Sequence, residues 1–85
     1  MEGAITVHKI LVVDDEPSIV TLMKFNLEKA GYEVITAEDG RQGLDLSLTE
    51  KPDLIVLDLM LPGMDGMDVC KTLRQEKVDT SILML

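Results

Sequence analysis

Asp53-Leu54-Ile55-Val56-Leu57-Asp58 decides the architecture of this chain. Four apolar residues in unbroken succession, closed at once by a carboxylate, describe a short strand buried on both faces. A polar residue that ends such a strand needs a partner, which makes Asp58 the first candidate for chemistry.

Upstream, Lys9-Ile10-Leu11-Val12-Val13 repeats the pattern and also runs into acids, Asp14-Asp15-Glu16, before Pro17. Pro17 suits the first turn of a helix, and the acids before it suit that helix's positive end. The helix is expected to reach about Ala30. Ile19, Met23, Leu27 and Ala30 share one face, with Val20 and Leu22 widening it, and Gly31 is the natural stop. Tyr32 to Ala37 reads as a second strand of mixed character, fit for a sheet edge. Asp39 and Gln42 form a capping pair for a second helix that carries Leu44 and Leu48 inward and ends before Pro52. Gly43 weakens the regularity of that helix.

Downstream of Asp58, the loop Leu59-Met60-Leu61-Pro62-Gly63-Met64 leads to Asp65, which can cap a third helix from Gly66 to about Gln75 with Val69, Cys70 and Leu73 apolar. A polar turn, Glu76 to Thr80, precedes a fourth strand, Ser81-Ile82-Leu83-Met84-Leu85. Strands alternating with helices over short connections imply right-handed crossovers and a parallel sheet, hence an α/β three-layer sandwich. Residues 1–85 are expected to form one domain without linker or repeat.

Composition narrows the function. Of 85 residues, 46% are hydrophobic and 28% charged, ordinary for a folded protein. Phe25 and Tyr32 are the only aromatics, so the core must be aliphatic. A net charge of −8 argues against a grip on nucleic acid or on an anionic membrane surface. Cys70 is alone, which excludes an internal disulfide, and is expected to be a buried structural thiol. No apolar run approaches a membrane span, and the start lacks a signal-peptide pattern, so the cytoplasm is the expected compartment.

Ligands of open α/β sheets bind outside the carboxyl ends of the strands. If the strands ending at Asp14-Asp15 and Asp58 are neighbours, three acids converge there. Acids so placed repel one another unless a cation offsets the charge. An oxygen-rich, partly hydrated site favours Mg²⁺. Helix capping is the competing reading for Asp15, which lies just before Pro17. His8 sits at the opposite end of its strand from the acids and reads as a surface histidine, and the six Met residues read as packing.

The runs Ile10-Leu11-Val12-Val13-Asp14-Asp15-Glu16 and Pro52-Asp53-Leu54-Ile55-Val56-Leu57-Asp58-Leu59-Met60-Leu61-Pro62-Gly63-Met64-Asp65-Gly66 together resemble response-regulator receiver domains of the CheY-like superfamily. Leu57-Asp58-Leu59-Met60-Leu61-Pro62 is most similar to the OmpR/PhoB branch of transcriptional regulators. The resemblance implies the flavodoxin-like strand order 2-1-3-4 that receivers share. It implies a phosphoacceptor at Asp58, a direct Mg²⁺ ligand at Asp15 with Asp14 as its partner through water, and a backbone carbonyl ligand at Met60. A histidine kinase would be the donor, and DNA would be reached only through an effector domain outside this chain. The family's Ser or Thr after the fourth strand, its Lys on the fifth, its switch aromatic and its last helix-strand-helix are not found here. The chain therefore reads as the N-terminal part of a receiver, expected to hold little stable phosphoryl group as it stands. Ser81–Leu85 is also expected to self-associate through its uncovered edge, or to fray beyond about Gln75.

Three other readings are weaker. Phosphatases of the haloacid-dehalogenase type need a second Asp two residues after the nucleophile, and Met60 stands there. A nucleotide site would need a Gly-rich loop after the first strand. A phosphorylation-incompetent interaction module is the remaining alternative. A dedicated enzyme is not expected.

Overall fold

The strands form where the apolar runs are least interrupted. The computed structural model describes residues 8–58, 60–61 and 63–85. In it, β1 (Lys9–Val13), β2 (Glu33–Ala37), β3 (Leu54–Leu57) and β4 (Ser81–Met84) alternate with α1 (Pro17–Lys29), α2 (Gly40–Glu50) and α3 (Gly66–Gln75). The four strands make one parallel sheet in the order β2-β1-β3-β4, as expected. Val13 lies opposite Ala37 on one side and Leu57 on the other, so β1 and β3 are central and end level with each other.

Strand residues alternate between two cores. Leu11, Val13, Ile55 and Leu57 face α2 and α3, where Leu44, Val69 and Leu73 close over them. Ile10, Val12, Val34 and Val56 face the other way, against Met23 and Leu27 of α1. Helices on both faces make the three layers.

Several side chains sit differently from expectation. Ile19 and Leu22 of α1 are exposed, and no residue of that helix is fully buried. Among the described residues the helix lies alone on its side of the sheet, and the strip around Met23 and Leu27 is what packs against the strands. Leu48 of α2 is likewise exposed, and Ser47 is buried in its place. Its hydroxyl donates to the Gly43 carbonyl at 2.7 Å, which removes the cost of burying it. Cys70 is half-buried rather than enclosed. Gly43 does not loosen α2. A Cβ there would stand 2.9 Å from both methyls of Val13, so glycine lets the helix press onto β1.

The capping expectations hold for two helices. Asp39 accepts from the Gln42 N–H at 2.8 Å while Gln42 Oε1 accepts from the Glu38 N–H at 2.8 Å. Asp65 accepts from the Asp68 N–H at 3.0 Å. His8 lies at the end of β1 away from the acids, its ring 4.0 Å from an Asp53 oxygen.

Candidate functional site

Asp14 and Asp58 each stand one residue beyond the end of a central strand, and hydrogen bonds of the sheet continue into both. The Asp58 N–H donates to the Val13 carbonyl at 3.0 Å, and the Asp14 N–H donates to the Ala37 carbonyl at 3.1 Å. The backbone is therefore fixed at the base of the site, and the side chains project from the crest of the sheet.

Asp14, Asp15 and Asp58 each offer a carboxylate oxygen, and these oxygens all lie within 4.8 Å of one another. Asp14 is buried, Asp58 half-buried and Asp15 exposed. Among the described residues, no ion pair involves any of the three. Three hard oxygen donors, gathered without a neighbouring cationic side chain and open on one side, fit a Mg²⁺ ion that keeps part of its water shell.

Two of the carboxylates are oriented by local turns. Asp14 Oδ1 accepts from the Glu16 N–H at 2.9 Å, and Asp58 Oδ1 accepts from the Met60 N–H at 3.1 Å. The Asp14 bond decides the capping question raised by the sequence. The residue before Pro17 that turns back to the backbone is Asp14, not Asp15, and α1 has Glu16 at its N-cap with no side-chain cap hydrogen bond. Asp15 keeps its carboxylate in the open. An acid bonding the backbone two residues on was the signal available in the sequence, and it fits Asp14 as well as Asp15.

Met60 lies beside Asp58 with its side chain in solvent, 81% exposed. A thioether so placed adds nothing for a hard cation. Leu61, next along the loop, is buried in the core and anchors this stretch. Leu59 and Pro62 of the loop expected after Asp58 lie outside the described residues.

A cavity of about 220 Å³ opens beside Asp14 and Asp15, walled by Val20, Thr21, Thr36 and Glu38. A roomier one, about 440 Å³, lies at the opposite ends of the strands, where Lys51 and Lys77 are matched by Asp53 and Asp79. Of the converging acids, Asp14 and Asp15 border the first.

The model of the response regulator receiver domain family matches residues 10–85. This chain belongs to that family. A receiver is a signalling module and not a dedicated enzyme. Over 77 residues, 91% of the chain, it is 66% identical to the alkaline phosphatase synthesis transcriptional regulatory protein PhoP of Bacillus subtilis. It spans only 32% of that relative's length. Among solved structures it is similar to the chemotaxis response regulator CheY4 of Vibrio cholerae, with 40% identity and a TM-score of 0.89 over 93% of this chain and 68% of that one. It is also similar to the response regulator TrrA of Thermotoga maritima, solved in complex with Mg²⁺-BeF, with 41% identity and a TM-score of 0.87. That match covers 92% of this chain and 68% of TrrA.

Proposed function

We propose that this receiver takes a phosphoryl group from the phosphohistidine of a histidine kinase onto Asp58, with Mg²⁺ held by Asp14, Asp15, Asp58 and the Met60 carbonyl. The observation that carries the reading is the meeting of three carboxylates at the ends of β1 and β3, in a chain of the receiver family.

One oxygen of Asp58 is engaged by the Met60 N–H, which orients the carboxylate. An Asp58 oxygen attacks phosphorus in line, forming a C–O–P acyl phosphate as the P–N bond to the histidine breaks. The bonding pair returns to the ring nitrogen, which takes a proton from water and leaves as neutral imidazole. Bound Mg²⁺ supplies positive charge where the carboxylates and phosphoryl oxygens would otherwise repel. Asp15, exposed at the rim, is suited to direct ligation. Asp14, buried and tied to Glu16, is suited to hold the ion through water.

The whole protein is read as a transcriptional regulator, since its PhoP relative is named a transcriptional regulatory protein, and the resemblance of Leu57-Asp58-Leu59-Met60-Leu61-Pro62 favours the OmpR/PhoB type. DNA would be bound by an effector domain outside this chain, consistent with the net charge of −8 here. Among the described residues no helix is long and apolar enough to cross a membrane, and we place the protein in the cytoplasm with its kinase's catalytic part.

Exposure of the protein to phosphoramidate and Mg²⁺, followed by intact-mass measurement, tests the acceptor. One phosphoryl group should be added to the full-length wild-type protein and none to its Asp58→Asn variant, while this chain by itself should hold little of it. Incorporation that survives the substitution would move the acceptor elsewhere.

A further inference from the structure

We propose that Gly40 is a positioning residue for the acid site, setting the distance between the loop that carries Asp58 and the acids that follow β1. The inference rests on the reading of Asp14, Asp15 and Asp58 as a Mg²⁺ site.

Gly40 opens α2 and is buried. It has ordinary helical geometry, and glycine weakens a helix, so its presence calls for another reason. That reason is contact. A Cβ on Gly40 would overlap the carbonyl oxygen of Met64 and stand 2.9 Å from the Met64 carbonyl carbon. Met64 belongs to the loop between Asp58 and α3. The obstacle is backbone, so no side-chain rotation relieves it, and any larger residue must push the loop away.

The other end of the same short segment holds the opposite side of the site. Ala37, three residues before Gly40, accepts the Asp14 N–H at 3.1 Å. Between them, the mutual bonds of Glu38, Asp39 and Gln42 lock the turn into α2, each at 2.8 Å. Residues 37–40 therefore brace the two halves of the acid cluster, touching β1's exit through Ala37 and the acceptor loop through Gly40. Among the described residues the loop is also held by Leu61 in the core, by the Met64 side chain packed against that core and by Asp65 at the start of α3, while the Met64 carbonyl itself faces Gly40.

Ser47 supplies the contrast. It is buried in α2 with its hydroxyl on the Gly43 carbonyl, toward the opposite ends of the strands from the acids. Ser47→Ala should change thermal stability and leave the cation site alone. Gly40→Ala should lengthen the gap between Asp58 and Asp14 and weaken Mg²⁺ binding by about ten- to a hundredfold, the range seen when groups supporting metal ligands are altered.

The test is a Mg²⁺ titration followed through backbone amide resonances, run on wild type, Asp15→Ala, Gly40→Ala, Ser47→Ala, Met64→Gly and the pair Gly40→Ala with Met64→Gly. The expected result is a Mg²⁺ affinity lowered in Gly40→Ala and kept in Ser47→Ala, with the metal-free amides of Asp14 and Met60 displaced only in the former. Met64→Gly frees the peptide that Gly40 faces, so the pair should fold and bind more tightly than Gly40→Ala alone. A wild type whose Mg²⁺ response is absent, or is unchanged in Asp15→Ala, overturns the site reading and this inference together. Folded Gly40→Ala with wild-type affinity overturns the inference alone. So does a pair that gains nothing over a folded Gly40→Ala, or that fails to fold where Met64→Gly folds.

Discussion

The backbone N–H of Met60 donates to Asp58 Oδ1 at 3.1 Å, the one hydrogen bond made to that carboxylate among the described residues. A turn two residues long thus engages one acceptor oxygen and fixes the plane of the group, leaving the carboxylate otherwise uncommitted. Asp58→Asn retains an oxygen for this bond and should keep the fold and melt at the same temperature or higher, while losing phosphoryl transfer. Asp58→Ala loses both, and its loop amides should shift more widely than those of Asp58→Asn. Equal shifts in the two variants would show that the turn does not depend on the side chain.

Asp14 and Asp15 should separate stability from cation binding. Asp14→Asn keeps an oxygen for the Glu16 N–H and removes a buried negative charge from a repelling cluster. Without Mg²⁺ it should melt at the same temperature as the wild type or higher, and it should bind Mg²⁺ more weakly. A lower melting temperature would contradict the account of the cluster as mutually repelling. Because the carboxylates must be ionised to hold the cation, wild-type affinity should also fall as acid protonates them.

Lys51 closes α2 in the left-handed conformation, at φ 50, a place where glycine is at ease and lysine is not. Lys51→Gly should stabilise the protein by about 0.5–1 kcal/mol, the strain relieved less the entropy that glycine loses on folding. Urea denaturation should show a higher midpoint with an unchanged slope. A lower midpoint would mean that the lysine side chain makes a contact worth more than the strain.

At the sheet's edge, β4 pairs with β3 on one side and shows Leu83, 51% exposed, to solvent. Ser81–Met84 carries no charge and no proline, the usual guards of an open edge. The chain should self-associate as its concentration rises, or lose amide protection from β4 when monomeric. Leu83→Lys should reduce the association seen by light scattering. A monomer at high concentration with strong protection from Ile82 to Met84 would exclude both outcomes.

How much of this could be read from residues alone follows from what each feature depends on. The seven elements, the central place of β1 and β3 and the caps at Asp39 and Asp65 depend on local pattern: apolar runs, punctuating Gly and Pro, and acids beside helix starts. Period and capping chemistry act over a few residues, so the sequence carries them in full. The candidacy of Asp14, Asp15 and Asp58 was legible too, because an acid after a buried strand is an anomaly that demands a partner.

Tertiary structure decided what depends on a neighbour far along the chain. Which of two adjacent acids turns into the backbone could not be settled by two residues that fit the same turn, and burial gave that part to Asp14. The exposure of Ile19, Leu22 and Leu48 followed from how far each helix can reach across the sheet, which no helical period encodes. Gly43 reads as a weakness in a helix until Val13 is found against it, and no local pattern marks Gly40, which the Met64 carbonyl faces. A glycine in sequence states only a missing side chain. What fills the space is set by packing, because close approach of two backbones is a relation between segments that the order of residues does not specify.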